Sequence, residues 1–216
     1  MIDINEPTTT LSHPQRRRPG AIARVGRDAG YVLAMFGLSV ADFWIFAACA
    51  LATAILLPTV VGALLGVASA FILRGVTNAD RRLAGWYLGR PIRARYRKPS
   101  APGMVALVKT VGRDRRTWKD AGWVLGNSFA GFGMGMVAIV VMSVTISYIA
   151  TPLWWWAVPH PHENYVVLNL GIYTVTSSSL ALVTSAIGLA LVPVAIAVNR
   201  GIARAHARMA RSALQD

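Results

Sequence analysis

The sequence predicts an all-α membrane protein with four transmembrane helices, built as a parallel 2+2 internal repeat with interfacial amphipathic helices. Three observations carry that prediction: the composition, the placement of the basic residues, and a repeated segment. Hydrophobic residues make up 55% of the 216 and charged ones only 14%, well below the charged share of an ordinary soluble domain. Mean hydropathy is +0.48, yet 22 Lys+Arg stand against 9 Asp+Glu. Apolar and basic together exclude a wholly disordered chain and place the charge in the connections between spans. Cys49 is the single cysteine, so no intramolecular disulfide contributes.

The basic residues fall into three blocks. Arg16, Arg17, Arg18, Arg24 and Arg27 precede the first apolar stretch, a second block runs from Arg74 to Lys119, and Arg200, Arg204, Arg208 and Arg211 close the chain. None lies between Tyr31 and Leu73 or between Asp120 and Asn199. Each gap holds two crossings of about 20 residues. Two hairpins with every basic block on the cytoplasmic side satisfy the positive-inside rule. Both termini are therefore expected in the cytoplasm, and the chain in the cell membrane. The same rule accounts for the net charge of +13 without a nucleic-acid partner. Anionic headgroups of the bilayer are the simpler attraction for the middle block.

Asp28-Ala29-Gly30-Tyr31-Val32-Leu33 recurs as Asp120-Ala121-Gly122-Trp123-Val124-Leu125, ninety-two residues later. Arg27 and Lys119 precede the two copies, and at the same offset Thr53 meets Thr145 and Thr59 meets Thr151. This is a duplication in which both copies enter from one face.

The elements follow in order. Residues 1–27 form a disordered basic arm, and 28–76 a first hairpin. Tyr31 to Leu57 would be roughly 40 Å of helix against a core of about 30 Å. An elbow is expected: Tyr31–Leu38 flat at the inner interface, bringing Asp42 near headgroup depth, then Ser39–Leu57 across. Residues 77–119 connect the hairpins, with interfacial helices expected at Asn78–Gly89 and from Met104 to Arg113. Residues 120–199 form the second hairpin: an interfacial turn at Trp123–Phe129, a span at Gly131–Ile149, and a fourth from about Val166 to Val198. Pro193 should bend or break its inner end. Residues 200–216 are a basic exit helix.

No catalytic or cofactor motif is present: no phosphate-binding loop, no His-Glu-x-x-His, no nucleophile elbow and no Cys-x-x-Cys. The expectation is a chain that is no enzyme and carries no cofactor. His160, His162 and Glu163 are weak metal candidates, short of the converging set a site needs. A solvated loop is the plainer reading of them. Trp154-Trp155-Trp156 suits an interfacial belt, with a ligand platform as the alternative. Asp42 is the sole carboxylate in a predicted span, functional if it lies mid-membrane. The pairs Gly62/Gly66 and Gly131/Gly135 allow close helix contact, within the bundle or in a homodimer. Ser177-Ser178-Ser179 and Asn169 could hydrogen-bond between spans. His13 and His206 sit in the basic arm and tail without a neighbouring carboxylate. Arg200, Arg204, Arg208 and Arg211 share one face of the exit helix, and Ile202, Ala205, Met209 and Ser212 form a weak seam on another.

With these features in view, the chain resembles the four-helix membrane sensor domain found at the N-terminus of many actinobacterial histidine kinases. The residues carrying the resemblance are Ala79-Asp80-Arg81-Arg82-Leu83 with Leu88-Gly89, then Arg116-Thr117-Trp118-Lys119-Asp120, and Thr151-Pro152-Leu153-Trp154-Trp155-Trp156-Ala157-Val158-Pro159. It spans roughly residues 28 to 205; Asp42 and Ser39 depart from the pattern. The resemblance implies a sensor of an envelope or lipid-state signal, relayed through Pro193 and the exit helix to a cytoplasmic kinase domain or regulatory protein in two-component signalling. The chain would be a fragment of such a kinase or a free-standing member. A small transport or channel subunit and a membrane scaffold for a soluble partner are the competing readings.

Overall fold

Each apolar stretch folds as a helix longer than a bilayer requires, and the surplus carries the charge. The computed structural model describes residues 20–56, 59–94, 96, 103–157, 166–167, 174–175 and 177–215. Helix α1 spans Ala21–Leu56, α2 Val60–Leu88, α3 Met104–Arg113, α4 Arg115–Trp154 and α5 Ser178–Leu214. A 3₁₀ turn, Trp155–Ala157, ends α4, and β1 (Val166–Val167) pairs antiparallel with β2 (Thr174–Val175). Four of these helices are long and apolar enough to cross a membrane. The 40 residues of α4 would make about 60 Å of helix, twice a hydrocarbon core of about 30 Å.

Local chemistry sets the boundaries. Thr59 caps α2 by accepting from the Gly62 N–H, Asp114 caps α4 by accepting from Arg116, and Ser177 caps α5 by accepting from Leu180. Gly89, with φ +66, ends α2 in the left-handed conformation that only glycine adopts readily.

Several sequence expectations need correction. The elbow is no break: α1 is one continuous helix through Ser39, whose hydroxyl donates back to the Met35 carbonyl at 2.9 Å. Residues 21–27 are helical rather than part of a disordered arm; residues 1–19 lie outside the described ones. Asn78–Gly89 is not a separate interfacial helix but the continuation of α2, whereas α3 forms where Met104 and its apolar repeat predict. Trp123–Phe129 is no interfacial turn, because α4 runs through it. The fourth helix starts at Ser178, not Val166, and Pro193 lies inside it without breaking it. Ser177 and Ser178 accordingly belong to the helix start, not to a polar span. Asn169 lies outside the described residues.

The two hairpins are α1 with α2 and α4 with α5, joined mainly by α1 packing on α4. That crossing is centred on equivalent positions of the repeat. A Cβ on Gly131 would strike the Ser39 side chain, and one on Gly135 would lie 2.6 Å from Phe36 Cδ2. The Gly131/Gly135 pair thus serves packing within the bundle. Contacts step in opposite directions from the crossing: Phe36 meets Gly135, whereas Asp42 meets Asn127. A pseudo-twofold axis between Ser39 and Gly131 generates this register. Along this stretch α1 and α4 therefore run antiparallel to each other.

Candidate functional site: a polar layer between the hairpins

The charged segments of all four long helices contact one another, and most of the polar side-chain contacts between these helices join one hairpin to the other. The repeat explains the pattern. Asp28 on α1 accepts from Arg200 Nε on α5 at 3.2 Å, and its counterpart Asp120 on α4 accepts from Arg81 Nη2 on α2 at 2.5 Å. One turn further, Tyr31 on α1 bonds His206 on α5 at 2.9 Å. Its counterpart Trp123 donates to Asp80 on α2 at 2.8 Å. Each hairpin's first helix therefore reaches the second helix of the other.

A chain of side chains crosses the middle. Asn127 Nδ2 donates to Asp42 Oδ2 at 2.8 Å, which turns its Oδ1 toward His206 Nε2 at 2.7 Å. With the amide so placed, Nε2–H of a neutral ring donates to Asn127 and Nδ1 accepts the Tyr31 hydroxyl. Asp42 and His206 are 0% and 2% exposed. Asp42 Oδ1 has no hydrogen-bond partner among the described residues. His206 was unpromising in the sequence because its partners lie 79 and 175 residues away.

Around Asp120 the charges are denser. Arg81 donates through Nη1 to Asn78 and to Tyr96, each at 2.7 Å, and Tyr96 donates to Asp120 Oδ2 at 2.7 Å. Burial, then the hydrogen bond to Asp120, raises the Tyr96 pKa, while Arg81 opposes the shift. Arg116 lies 3.8 Å from Asp120 and donates to the Leu214 carbonyl at the end of α5. Arg74 pairs with Asp114 at 3.1 Å and lies over the Tyr96 ring, 4.4 Å from its centroid.

The other sequence candidates fall elsewhere. Trp155 packs against Val175 and Ala181, whereas Trp154 and Trp156 face outward and Trp156 Nε1 donates to the Leu153 carbonyl. They do not converge into one platform. His160, His162 and Glu163 lie outside the described residues. Arg204 and Arg208 are exposed on α5, as their spacing predicts, and Arg211 is half-buried. The seam of α5 is shifted: Ala203, His206, Ala207, Ala210 and Leu214 are buried against this chain's own helices, while Ala205 and Ser212 are exposed.

Long apolar helices locked together by a buried polar layer define a multi-pass membrane protein. The family model described as "Putative sensor" matches residues 31–214, nearly all of the helical part, and the chain belongs to that family. No curated protein and no solved structure matches it.

Proposed function

We propose that the chain is a non-enzymatic sensing module of the cell membrane, with its polar layer and both termini at the cytoplasmic face. Its spans respond to the state of the envelope or the surrounding lipid. Helix α5 passes the response to a cytoplasmic kinase domain or regulatory partner of two-component signalling, in this chain or a separate one. The histidine-kinase setting of the domain it resembles, in actinobacteria, supports that partner class.

The observation that carries this reading is the way α5 is held. One unbroken helix runs from Ser178 to Leu214, tied to α1 through Asp28 and Tyr31 and to α4 through Asn127 and Arg116. A movement of either hairpin relative to the other must strain these bonds, and α5 takes part in all four of them. The test is a kinase core fused after Asp216, with one to four residues inserted beyond Leu214. Each residue turns the output by about 100°, so a helical relay makes activity periodic in insert length; a flat response contradicts it.

A second reading, a small transport subunit, draws on Asp42 and its unpartnered buried Oδ1. Proton flux into proteoliposomes that disappears in Asp42→Asn would favour it; no flux above empty vesicles would remove it.

A further inference from the structure

The turn that ends α2 encloses an open cavity of about 360 Å³ whose walls include Arg81, Arg82, Trp86, Arg90, Pro91 and Ile92. Its volume is at the lower end of small-molecule sites. Every charged residue on its wall is an arginine. The turn is held tightly: a Cβ on Gly85 would lie 3.1 Å from the Arg90 carbonyl oxygen. Two of the last four carbonyls of α2, groups that would repel an anion, are occupied. The Arg90 N–H bonds the Gly85 carbonyl, and the Gly89 N–H bonds that of Trp86.

Arg81 supplies the second observation. Its side chain is 3% exposed, and its Nε–H is buried with no acceptor among the described residues. Its nearest counter-charge, Asp120, is shared with Arg116, so one carboxylate serves two guanidinium groups. Arg82 and Arg90 are exposed beside it, and Trp86 is 57% exposed. An unfilled guanidinium donor and two further arginines beside an exposed tryptophan suit a phosphate group.

We propose that this cavity binds a phosphate-bearing anion, either the headgroup of an anionic phospholipid or a free phosphate ester, and that Arg81 couples it to the exit helix. The phosphate provides the acceptor that Arg81 Nε lacks and draws the guanidinium away from Asp120. Asp120 is then left to Arg116, the residue bonded to the Leu214 carbonyl. The coupling rests on the sensor reading; the binding does not.

The test uses the full chain in phosphatidylcholine nanodiscs doped with phosphatidylglycerol, with retained lipid counted by native mass spectrometry. A parallel arm measures inorganic phosphate by equilibrium dialysis in uncharged detergent. The double variant Arg82→Gln/Arg90→Gln leaves the buried Arg81 pair intact, and Lys109→Gln on α3 removes a charge outside the cavity. Phosphatidylglycerol retained by the wild type, about thirtyfold more weakly by the double variant, and unchanged in Lys109→Gln identifies a lipid headgroup. Phosphate binding with the same variant dependence, and no lipid preference, identifies a free ester. No preference for either probe, or equal weakening in Lys109→Gln, overturns the proposal. Anion binding lost while the insertion series stays periodic removes the pocket and leaves the sensor; binding with a flat series does the reverse.

Discussion

Tyr31 and His206, 175 residues apart in sequence, share a 2.9 Å hydrogen bond inside the helix bundle, and Asn127 carries the connection on to Asp42. One amide thus links three other polar side chains, the four coming from three helices. Asn127→Ala removes the donor to Asp42 and the partner of His206 together. The expected cost is about 1–3 kcal/mol for each buried group left unsatisfied, read as a lower unfolding temperature in detergent. Tyr31→Phe, which deprives only His206 of a partner, should cost less.

The repeat makes two carboxylates equivalent in sequence but not in setting. Arg81 beside Asp120 is 3% exposed, whereas Arg200 beside Asp28 is 35% exposed. Asp120→Asn leaves two guanidinium groups without their shared charge and should destabilise by about 3–5 kcal/mol. Asp28→Asn, which keeps an oxygen for the Tyr87 hydroxyl and leaves Arg200 partly open to solvent, should cost less. Equal losses in chemical denaturation would contradict the asymmetry.

Helix contact gives a third prediction. A Cβ on Gly188 would sit 2.7 Å from the Ile149 backbone nitrogen, and one on Gly131 would strike Ser39, while Gly133 faces open space. Gly188→Ala and Gly131→Ala should each destabilise by about 1–3 kcal/mol. Gly133→Ala should be neutral or stabilising by up to about 1 kcal/mol. Thermal unfolding of the three variants side by side separates close contact from a general intolerance of alanine.

The partition of the basic residues, and not the opposed register of α1 and α4, sets the expected sidedness. With Cys49 replaced by alanine, cysteines at Thr59 and Trp156 should both react with an impermeant maleimide on intact cells. One at Trp118 should react only after permeabilisation. Thr59 and Trp156 labelling from opposite faces would turn the two hairpins against each other and overturn the same-side model.

The spans were legible because hydropathy and the gaps between arginines are properties of the chain itself. The repeat was legible too, since Asp28 and Asp120 head nearly identical hexapeptides. What those aspartates bind was not, because Arg81 and Arg200 do not stand at the offset that separates Asp28 from Asp120. The elbow failed as a break for a physical reason. The surplus length of α1 is used for packing: Tyr31, Val32 and Met35 bury themselves among Tyr87, Ala138, Ala203 and Ala207, so nothing interrupts the helix. His206 carried no local signal, since neighbouring alanines and arginines read as a solvated tail. Only tertiary packing brings Asn127 to it.

The central claim is that the state of the spans reaches the end of α5. Spin labels at the exposed positions Trp118 on α4 and Arg208 on α5 report that distance by double electron–electron resonance. The account predicts a distance distribution that shifts between bilayers of short-chain and long-chain phosphatidylcholine. One distribution, unchanged in both bilayers, would contradict it.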